Sequence, residues 1–508
     1  MKRPHTQRRL IYLIALLFSL SLGLRVVPTL ALQLEALLDS AFPDGNNSTY
    51  NFPEYWGFNY TDSGAVPIPK QSSMFRVPGI AYWRWVDEQN GKLNNKNFRA
   101  KLLAEVQRGA KEGHDVLYIL NGWNGAVPPP PATAPSVYFA RQQDVINLAA
   151  QSSTVSSLQA WALEEARNAA TVIDQVNQQR SQSGLPNVRL AFQLGNEVVN
   201  PIFSEALRTY YQMPQLTTEA DKEADDVVAD AYVRFYLDPV AAVLRANMPN
   251  STLVLGSVNP IRNAATRLWL ARLLDMTVPS SGQSVRNTVD VISIHYAGAP
   301  NAYADIVVNF DEIMGYAQGK PVWESEEGGK FIMDKARAPE FLVQIFPRIL
   351  NYVIENGWSP DRLKVMLWGG WIGSSQGIRG NDVLTSLFQA VGTGAIVRTN
   401  ITVTTVPPND QRLDVSAYWA NQNRLVLFVT SRLGSPPQPI TSLDLQTPFI
   451  GRWKVANTIG RVYIRGRNYP VTTGAWPQDV TDGHLHLTFS TPLDLTGSGG
   501  VVLSVLQK

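Results

Sequence analysis

The fold is decided by two stretches of sequence, LAFQLGNE at residues 190–197 and PVWESEE at residues 321–327. Each is a short, mostly apolar run that leads into acidic residues. Such continuous apolar runs are typical of parallel strands that are buried on both faces. Because chemistry in a parallel barrel lies at the carboxyl ends of its strands, Glu197 and Glu326 become candidate functional residues.

Similar apolar runs recur along the chain with helical stretches between them. The alternation predicts a (β/α)8 TIM barrel. An open doubly wound sheet is the alternative, and it would lead us to expect a Gly-rich phosphate loop early in the chain, which the sequence lacks. The eight predicted strands are Tyr55–Asn59, Phe75–Pro78, Val116–Leu120, Leu190–Leu194, Leu253–Gly256, Val291–Ile294, Pro321–Trp323 and Val365–Trp368.

After the barrel the pattern changes to alternating apolar and polar residues. Residues 412–420 and 424–430 alternate around Asn421-Gln422-Asn423, which predicts a β-hairpin. We therefore predict an antiparallel β-sandwich module over residues 399–508, after a catalytic barrel over residues 51–398 and a lead-in segment over residues 32–50.

The N-terminus has the pattern of an export signal. Basic residues precede an apolar run of fifteen residues, Leu10–Leu24, whereas a membrane span needs about 20. Thr29-Leu30-Ala31 suits a cleavage site, so we predict a signal peptide over residues 1–31 and a secreted or extracytoplasmic protein. The alternative is an uncleaved anchor, since apolar residues resume at Val26, and only then would the membrane be a partner.

Composition excludes several kinds of chemistry. Apolar residues make up 44% of the chain and charged residues 17%, so it is a folded protein. The net charge of +2 gives no reason to expect a nucleic-acid partner. The chain has no Cys, which excludes disulfides and thiolate sites. Its five His show no metal-binding spacing, so no metal and no cofactor are predicted.

The positions of the two glutamates predict glycoside hydrolysis. The fourth and seventh strands of an eight-stranded barrel face each other across its mouth, so Glu197 and Glu326 can flank a sugar. Retaining hydrolysis needs two carboxyl groups about 5 Å apart. One must be protonated to donate to the leaving oxygen, and the other must be ionised to attack the anomeric carbon.

Several strand ends resemble those of the clan A retaining glycoside hydrolases, and are closest to the arabinofuranosidase, β-glucuronidase and xylosidase/iduronidase families. Gly195-Asn196-Glu197 is similar to their acid/base motif. Ile80 and Val198 depart from residues that several of these families have, so the sugar stays open. The other similar stretches are Arg76-Val77-Pro78-Gly79, Asn121-Gly122-Trp123, His295-Tyr296, Trp323-Glu324-Ser325-Glu326 and Trp368.

The resemblance implies a role for each residue. Glu197 would be the acid/base and Glu326 the nucleophile. Asn196 would bind the sugar 2-hydroxyl, while Arg76 and Tyr296 would orient the nucleophile. The remaining residues implied to bind substrate are Asn121, Trp123, His295, Trp323 and Trp368, of which Trp368 would stack on the sugar.

Some alternatives stay open. Because side chains alternate along a strand, Glu324 and Glu326 are expected to share a face, and only the spacing from Trp323 favours Glu326. A non-catalytic carbohydrate-binding cell-surface protein and a membrane-anchored glycan-trimming enzyme are the rival functions. The sugar, the anomer, endo or exo action and the oligomeric state are not determined by the sequence.

Overall fold

The structure is a computed structural model. It describes residues 50–59, 73–122, 152–198, 229–298, 305–327 and 338–367 except residues 92 and 231, and the strands of the C-terminal module between residues 395 and 507. The predicted signal segment, Trp123 and Trp368 lie outside the described residues.

Eight parallel strands form one sheet in the order β6-β5-β4-β3-β2-β9-β8-β7. All eight predicted strands are confirmed, although the seventh continues to Glu327. The strands are β2 (Trp56–Asn59), β3 (Met74–Pro78), β4 (Asp115–Leu120), β5 (Leu190–Leu194), β6 (Thr252–Leu255), β7 (Ile292–His295), β8 (Val322–Glu327) and β9 (Leu363–Leu367).

The two edges of this sheet meet, which closes the barrel. Val254 forms a parallel bridge with Val291, and Val258 forms one with Ile294. These bridges join β6 to β7, so every barrel strand has a neighbour on both sides. The predicted (β/α)8 barrel is therefore confirmed, and the open sheet is excluded.

Helices cover the outside of the barrel. The longest of those described, Ser152–Gln182, buries Ala162, Ala166, Ala169 and Ile173 at helical spacing. A π-helical turn, Val233–Leu237, leads directly into α4. The helices are α1 (Tyr82–Gln89), α2 (Lys96–Glu112), α3 (Ser152–Gln182), α4 (Asp238–Asn247), α5 (Ala264–Asp275), α6 (Val285–Thr288), α7 (Asp305–Ala317) and α8 (Ala338–Asn356).

The barrel interior is apolar near the amino ends of the strands. One strand, β2, contributes Gly57, where an added Cβ would lie only 2.8 Å from Cγ of Met366. Small and large residues thus complement each other inside the barrel. The apolar interior cluster consists of Met74, Leu117, Ala191, Val254, Val291, Trp323 and Met366.

The C-terminal part contains two antiparallel sheets, which confirms the β-sandwich module. Their orders are β1-β10-β12-β13-β18-β15-β16 and β11-β14-β17. The strands are β1 (Tyr50–Asn51), β10 (Ala395–Thr399), β11 (Thr402–Val406), β12 (Leu413–Ala420), β13 (Arg424–Ser431), β14 (Ile440–Gln446), β15 (Gly451–Val455), β16 (Gln478–Val480), β17 (His484–Leu493) and β18 (Gly500–Gln507).

The module begins before the predicted boundary at residue 399. Strand β10 pairs with β12 of the predicted hairpin, and β1 of the lead-in pairs with β10. The large sheet thus takes strands from both sides of the barrel sequence. Helix α8 connects the two parts, because Arg348 forms an ion pair of 3.2 Å with Asp414 and Asn351 donates to Ser416 over 3.0 Å.

Within the described ranges we find no helix that is both long and apolar enough to cross a membrane.

Candidate active site

Glu197 and Glu326 lie together at the carboxyl ends of β5 and β8. One carboxylate oxygen of each, and a ring nitrogen of His295, all lie within 4.8 Å of one another. Their strands are far apart in sequence but face each other across the barrel mouth. The separation is close to the roughly 5 Å that a retaining mechanism requires.

The chain turns sharply where these side chains are presented. Glu197 has a φ of 50° and Tyr296 a φ of 59°, both in the left-handed region that non-glycine residues rarely adopt. The turn at Glu197 is fixed on its far side, since the amide of Val198 donates to the carbonyl of Ser257 over 2.9 Å. Strained backbone of this kind is common at functional sites.

Strand β8 contains a bulge that decides which glutamate reaches the barrel mouth. Along the neighbouring strand β7, Ile294 pairs with Glu324 but the next residue, His295, pairs with Glu326. One extra residue in β8 therefore breaks the alternation of side chains. As a result Ser325 and Glu326 both contact side chains inside the barrel. The expectation that Glu324 and Glu326 share a face is wrong.

Glu324 and Glu327 point away from this site. Glu324 accepts a hydrogen bond of 3.2 Å from the amide of Ala297, and Glu327 accepts one of 3.0 Å from the amide of Gly298. Burial raises the pKa of the Glu324 carboxyl well above its usual range, and the nearby charge of Glu327 raises it further. Glu324 is thus a buried acid that holds the segment after β7.

Both carboxylate oxygens of Glu326 accept a hydrogen bond. Arg76 donates from Nη1 to Oε2 over 3.0 Å, and Tyr296 donates from its hydroxyl to Oε1 over 3.1 Å. These two donors fix the orientation of the carboxylate. Burial raises the pKa of Tyr296, and the Glu326 charge raises it further, so this phenol stays a donor.

Arg76 also organises β5. It lies on β3, is nearly fully buried, and donates from Nε to Oε1 of Gln193 over 3.2 Å. Its Nη2 donates to Oδ1 of Asn196. One guanidinium therefore sets the positions of Glu326 and of Asn196, the residue next to Glu197, which suits the rigid fork of arginine.

His295 lies between the two glutamates and is fully buried. Its Nδ1 is 3.5 Å from Oε1 of Glu197 and 3.4 Å from Oε2 of Glu326. Burial lowers the pKa of His295 to about 3, although the Glu326 charge opposes this and Arg76 supports it. The imidazole is therefore neutral near neutral pH.

Two predicted binding residues take other positions. Trp323 lies in the apolar cluster inside the barrel, below Ser325, so its place is that of a packing residue. Asn121 follows β4, and its buried side-chain oxygen has no hydrogen-bond partner among the described residues. It is not in contact with the two glutamates in any described interaction.

The sequence reasoning missed the polar side chains beneath the glutamates. Gln193, Ser257, Ser293 and Ser325 are fully buried inside the barrel. The signal was present, since each is a polar residue in or just after an otherwise apolar strand run. Counting alternate residues back from His295 gives the inward position of Ser293 alone.

Glu197, His295 and Glu326 are also the residues that could hold a metal ion within the described part of the chain. Arg76, however, places its guanidinium 3.0 Å from Glu326 and 3.3 Å from Nε2 of His295. A cation bound there would lie beside an existing positive charge, so we assign these residues no metal role.

No protein-family model and no curated protein matches this sequence. Solved structures that it resembles include a family 51 α-L-arabinofuranosidase from Bifidobacterium longum, which is 12% identical over 85% of this chain and 87% of that chain with a TM-score of 0.42. A glycoside hydrolase family 5 enzyme from Prevotella bryantii is 10% identical over 67% and 99%, with a TM-score of 0.40. A GH26 endo-β-1,4-mannanase from a Bacillus species is 13% identical over 65% and 80%, with a TM-score of 0.35. These likenesses concern the fold, and the reaction has to be argued from the site.

Proposed function

We propose that the protein is an exported retaining glycoside hydrolase that acts on an extracellular polysaccharide or glycoconjugate. The observation that carries this proposal is the pair of carboxylates at the barrel mouth, with oxygens of Glu197 and Glu326 within 4.8 Å. Two carboxyl groups at this separation suit a covalent intermediate, because too little room is left between them for an attacking water. Export rests on the N-terminal signal pattern alone.

Glu326 is assigned the role of nucleophile. Its two donors, Arg76 and Tyr296, hold both carboxylate oxygens and so orient the group for attack on an anomeric carbon. The bulge in β8 supports the choice of Glu326 over Glu324, because Glu324 accepts a hydrogen bond from the backbone after β7 instead.

Glu197 is assigned the role of acid/base. In the first step it protonates the glycosidic oxygen while Glu326 forms a bond to the anomeric carbon. In the second step it removes a proton from the water that displaces Glu326. Asn196, held by Arg76, is placed beside it to bind the sugar. Trp123 remains a predicted substrate-binding residue, and Trp368 a predicted sugar-stacking residue.

Trapping the covalent intermediate tests the proposal directly. A panel of dinitrophenyl 2-deoxy-2-fluoroglycosides is incubated with the enzyme, and the labelled peptide is sequenced by mass spectrometry. We expect a fluoroglycosyl ester on Glu326. A label on Glu324 would contradict the nucleophile assignment. Sugar binding without labelling or hydrolysis across the panel would instead support a non-catalytic carbohydrate-binding protein.

Substitutions provide a matched control on one strand. Glu197→Gln removes the general acid, so turnover of a natural glycoside should fall by about 10²–10⁴-fold. Glu326→Gln should abolish it. Glu324→Gln replaces a buried acid, whose raised pKa favours the neutral form, by its neutral isostere, so activity should be retained. Loss of activity in all three variants with intact folding would refute the division of roles in β8.

A further inference from the structure

Three serines form a closed triangle inside the barrel, directly beneath the two glutamates. The Oγ of Ser257 lies 3.1 Å from that of Ser293 and 3.0 Å from that of Ser325. Ser293 and Ser325 are 2.6 Å apart. Ser325 then reaches Nε2 of His295 over 3.0 Å. The hydroxyls thus connect the barrel interior to the histidine between the carboxylates.

The direction of these hydrogen bonds follows from groups that can only donate. Arg76 has no acceptor, so its bond to Gln193 must end on the amide oxygen. The amide nitrogen of Gln193 must then point the other way, and it donates to Ser257 over 2.8 Å. Because Ser257 accepts this bond, its single hydroxyl proton is available to one of the other two serines.

The same reasoning applies to the histidine ring. Nη2 of Arg76 lies 3.3 Å from Nε2 of His295, and a proton on that nitrogen would face a guanidinium N–H. Nε2 is therefore the acceptor, and its single lone pair is directed to the nearer donor, the hydroxyl of Ser325 at 3.0 Å, with Arg76 farther away at 3.3 Å. The ring proton then belongs on Nδ1. This nitrogen makes no hydrogen bond among the described residues, and the nearest carboxylate oxygens, those of Glu326 and Glu197, lie 3.4 and 3.5 Å away.

We propose that Ser325 is a positioning residue that holds His295 as its Nδ1–H tautomer, so that one neutral N–H is shared between the two catalytic carboxylates. This inference rests on the proposed function for its catalytic meaning. In the resting enzyme the N–H supports ionised Glu326. Once Glu326 has become an ester, Glu197 is the charged partner, and the same N–H can turn to it without any change of protonation.

The tautomer can be measured without turnover. The protein is labelled with ¹⁵N-histidine, and the ring nitrogens are observed by NMR at neutral pH. The chain has five His, and the His295 signal is identified by its loss in His295→Gln. We expect a protonated Nδ1 and an acceptor Nε2. A protonated Nε2 in the unmodified protein would overturn the proposal.

Ser325→Ala and Ser293→Ala form a matched pair, because each deletes one buried hydroxyl from the same triangle. Only Ser325 contacts His295, and Ser257 still lies 3.0 Å from Ser325 when Ser293 is removed. We expect Ser325→Ala to shift the Nε2 resonance and to lower kcat about tenfold with little change in KM, as loss of one hydrogen bond in the transition state would do. Ser293→Ala should leave both nearly unchanged, and Ser325→Thr should restore kcat.

Equal losses in the two alanine variants would assign the serines a packing role and overturn the proposal.

Failure of the positioning proposal can be distinguished from failure of the proposed function. If Glu326→Gln were fully active while NMR showed the Nδ1–H tautomer and its dependence on Ser325, the proposed retaining mechanism with Glu326 as nucleophile would fall and the positioning of His295 would stand. If Glu326 were labelled but Nε2 carried the proton, only the positioning claim would fall.

Discussion

His295 should make the folded protein sensitive to acid. Burial lowers its pKa to about 3 from the ordinary histidine value of 6.5, with the Glu326 charge opposing the shift and Arg76 supporting it. Between these two values the unfolded chain binds one more proton than the native state. The free energy of unfolding must therefore decrease as pH falls through this window. Above pH 6.5 the histidine is neutral in both states, so it no longer makes the free energy of unfolding depend on pH.

The magnitude follows from the width of the window. Each pH unit in which the histidine is protonated only in the unfolded chain removes about 1.4 kcal/mol of stability. Going from about pH 7 to about pH 4.5 crosses roughly two units of the window, so His295 alone should remove about 3 kcal/mol. This is a large fraction of the 5–15 kcal/mol that is typical of a folded domain.

The assay compares two variants with the unmodified protein. Urea unfolding is followed by Trp fluorescence at both pH values for the wild type, His295→Gln and His486→Gln. Gln can still accept a hydrogen bond from Arg76 but does not titrate, so His295→Gln should lose about 3 kcal/mol less than the wild type on acidification. His486 is exposed on the β-sandwich and controls for the loss of an imidazole. Equal pH dependence of the wild type and His295→Gln would refute the reasoning.

Three further substitutions test the site and the fold around it. Tyr296→Phe removes one donor to the Glu326 charge, so kcat/KM should fall by about 10- to 100-fold with an unchanged circular dichroism spectrum; unchanged kinetics would contradict the contact. Arg76→Met leaves Glu326 buried without its cation, so the free energy of unfolding in urea should fall by about 3–5 kcal/mol; a stable variant would show that the pair is not needed for folding. Gly79→Ala would place a Cβ 2.4 Å from the carbonyl oxygen of Ile119, so we expect a loss of about 1–3 kcal/mol measured by thermal unfolding; an unchanged Tm would show that β3 can move away from β4.

The sequence was sufficient for the barrel because each barrel strand carries its own local pattern. Runs such as Leu190–Leu194 are apolar at every position facing a helix. Counting these runs along the chain gives the position of each strand in the barrel. Glu197 could be assigned in the same way, since it follows the fourth such run. The role of Arg76 could be predicted only from the resemblance of its motif to a known family. Nothing in the neighbouring sequence explains why one arginine should be buried inside an apolar strand.

Pairing between distant residues left no comparable pattern. The two residues of β1, Tyr50–Asn51, join a sheet through β10, more than 340 positions later. Nothing in either segment specifies the other, because register in such a pair depends on tertiary packing. The same is true of β14, Ile440–Gln446, which pairs with β11 and β17 and was not predicted.

The bulge in β8 shows why the sequence could not decide between Glu324 and Glu326. Trp323 and Ser325 point into the barrel, so strict alternation would direct Glu326 outward with Glu324. One extra residue turns Glu326 inward while Ser325 keeps its contact with His295. The bulge therefore lets two adjacent residues point inward. Glu326 supplies the carboxylate, and Ser325 supplies the hydroxyl that contacts His295.

Such a bulge must be held in place, because it interrupts the pairing of β8 with both of its neighbours. Glu324 and Glu327 flank the inserted residue and accept hydrogen bonds from the amides of Ala297 and Gly298. The amide of the residue before these, Tyr296, donates to the carbonyl of Glu326 over 3.1 Å. The acidic cluster that made the sequence ambiguous is thus divided by the fold. Glu324 and Glu327 fix the backbone of the turn that carries Tyr296. Glu326 points into the barrel mouth, where the proposed substrate would bind.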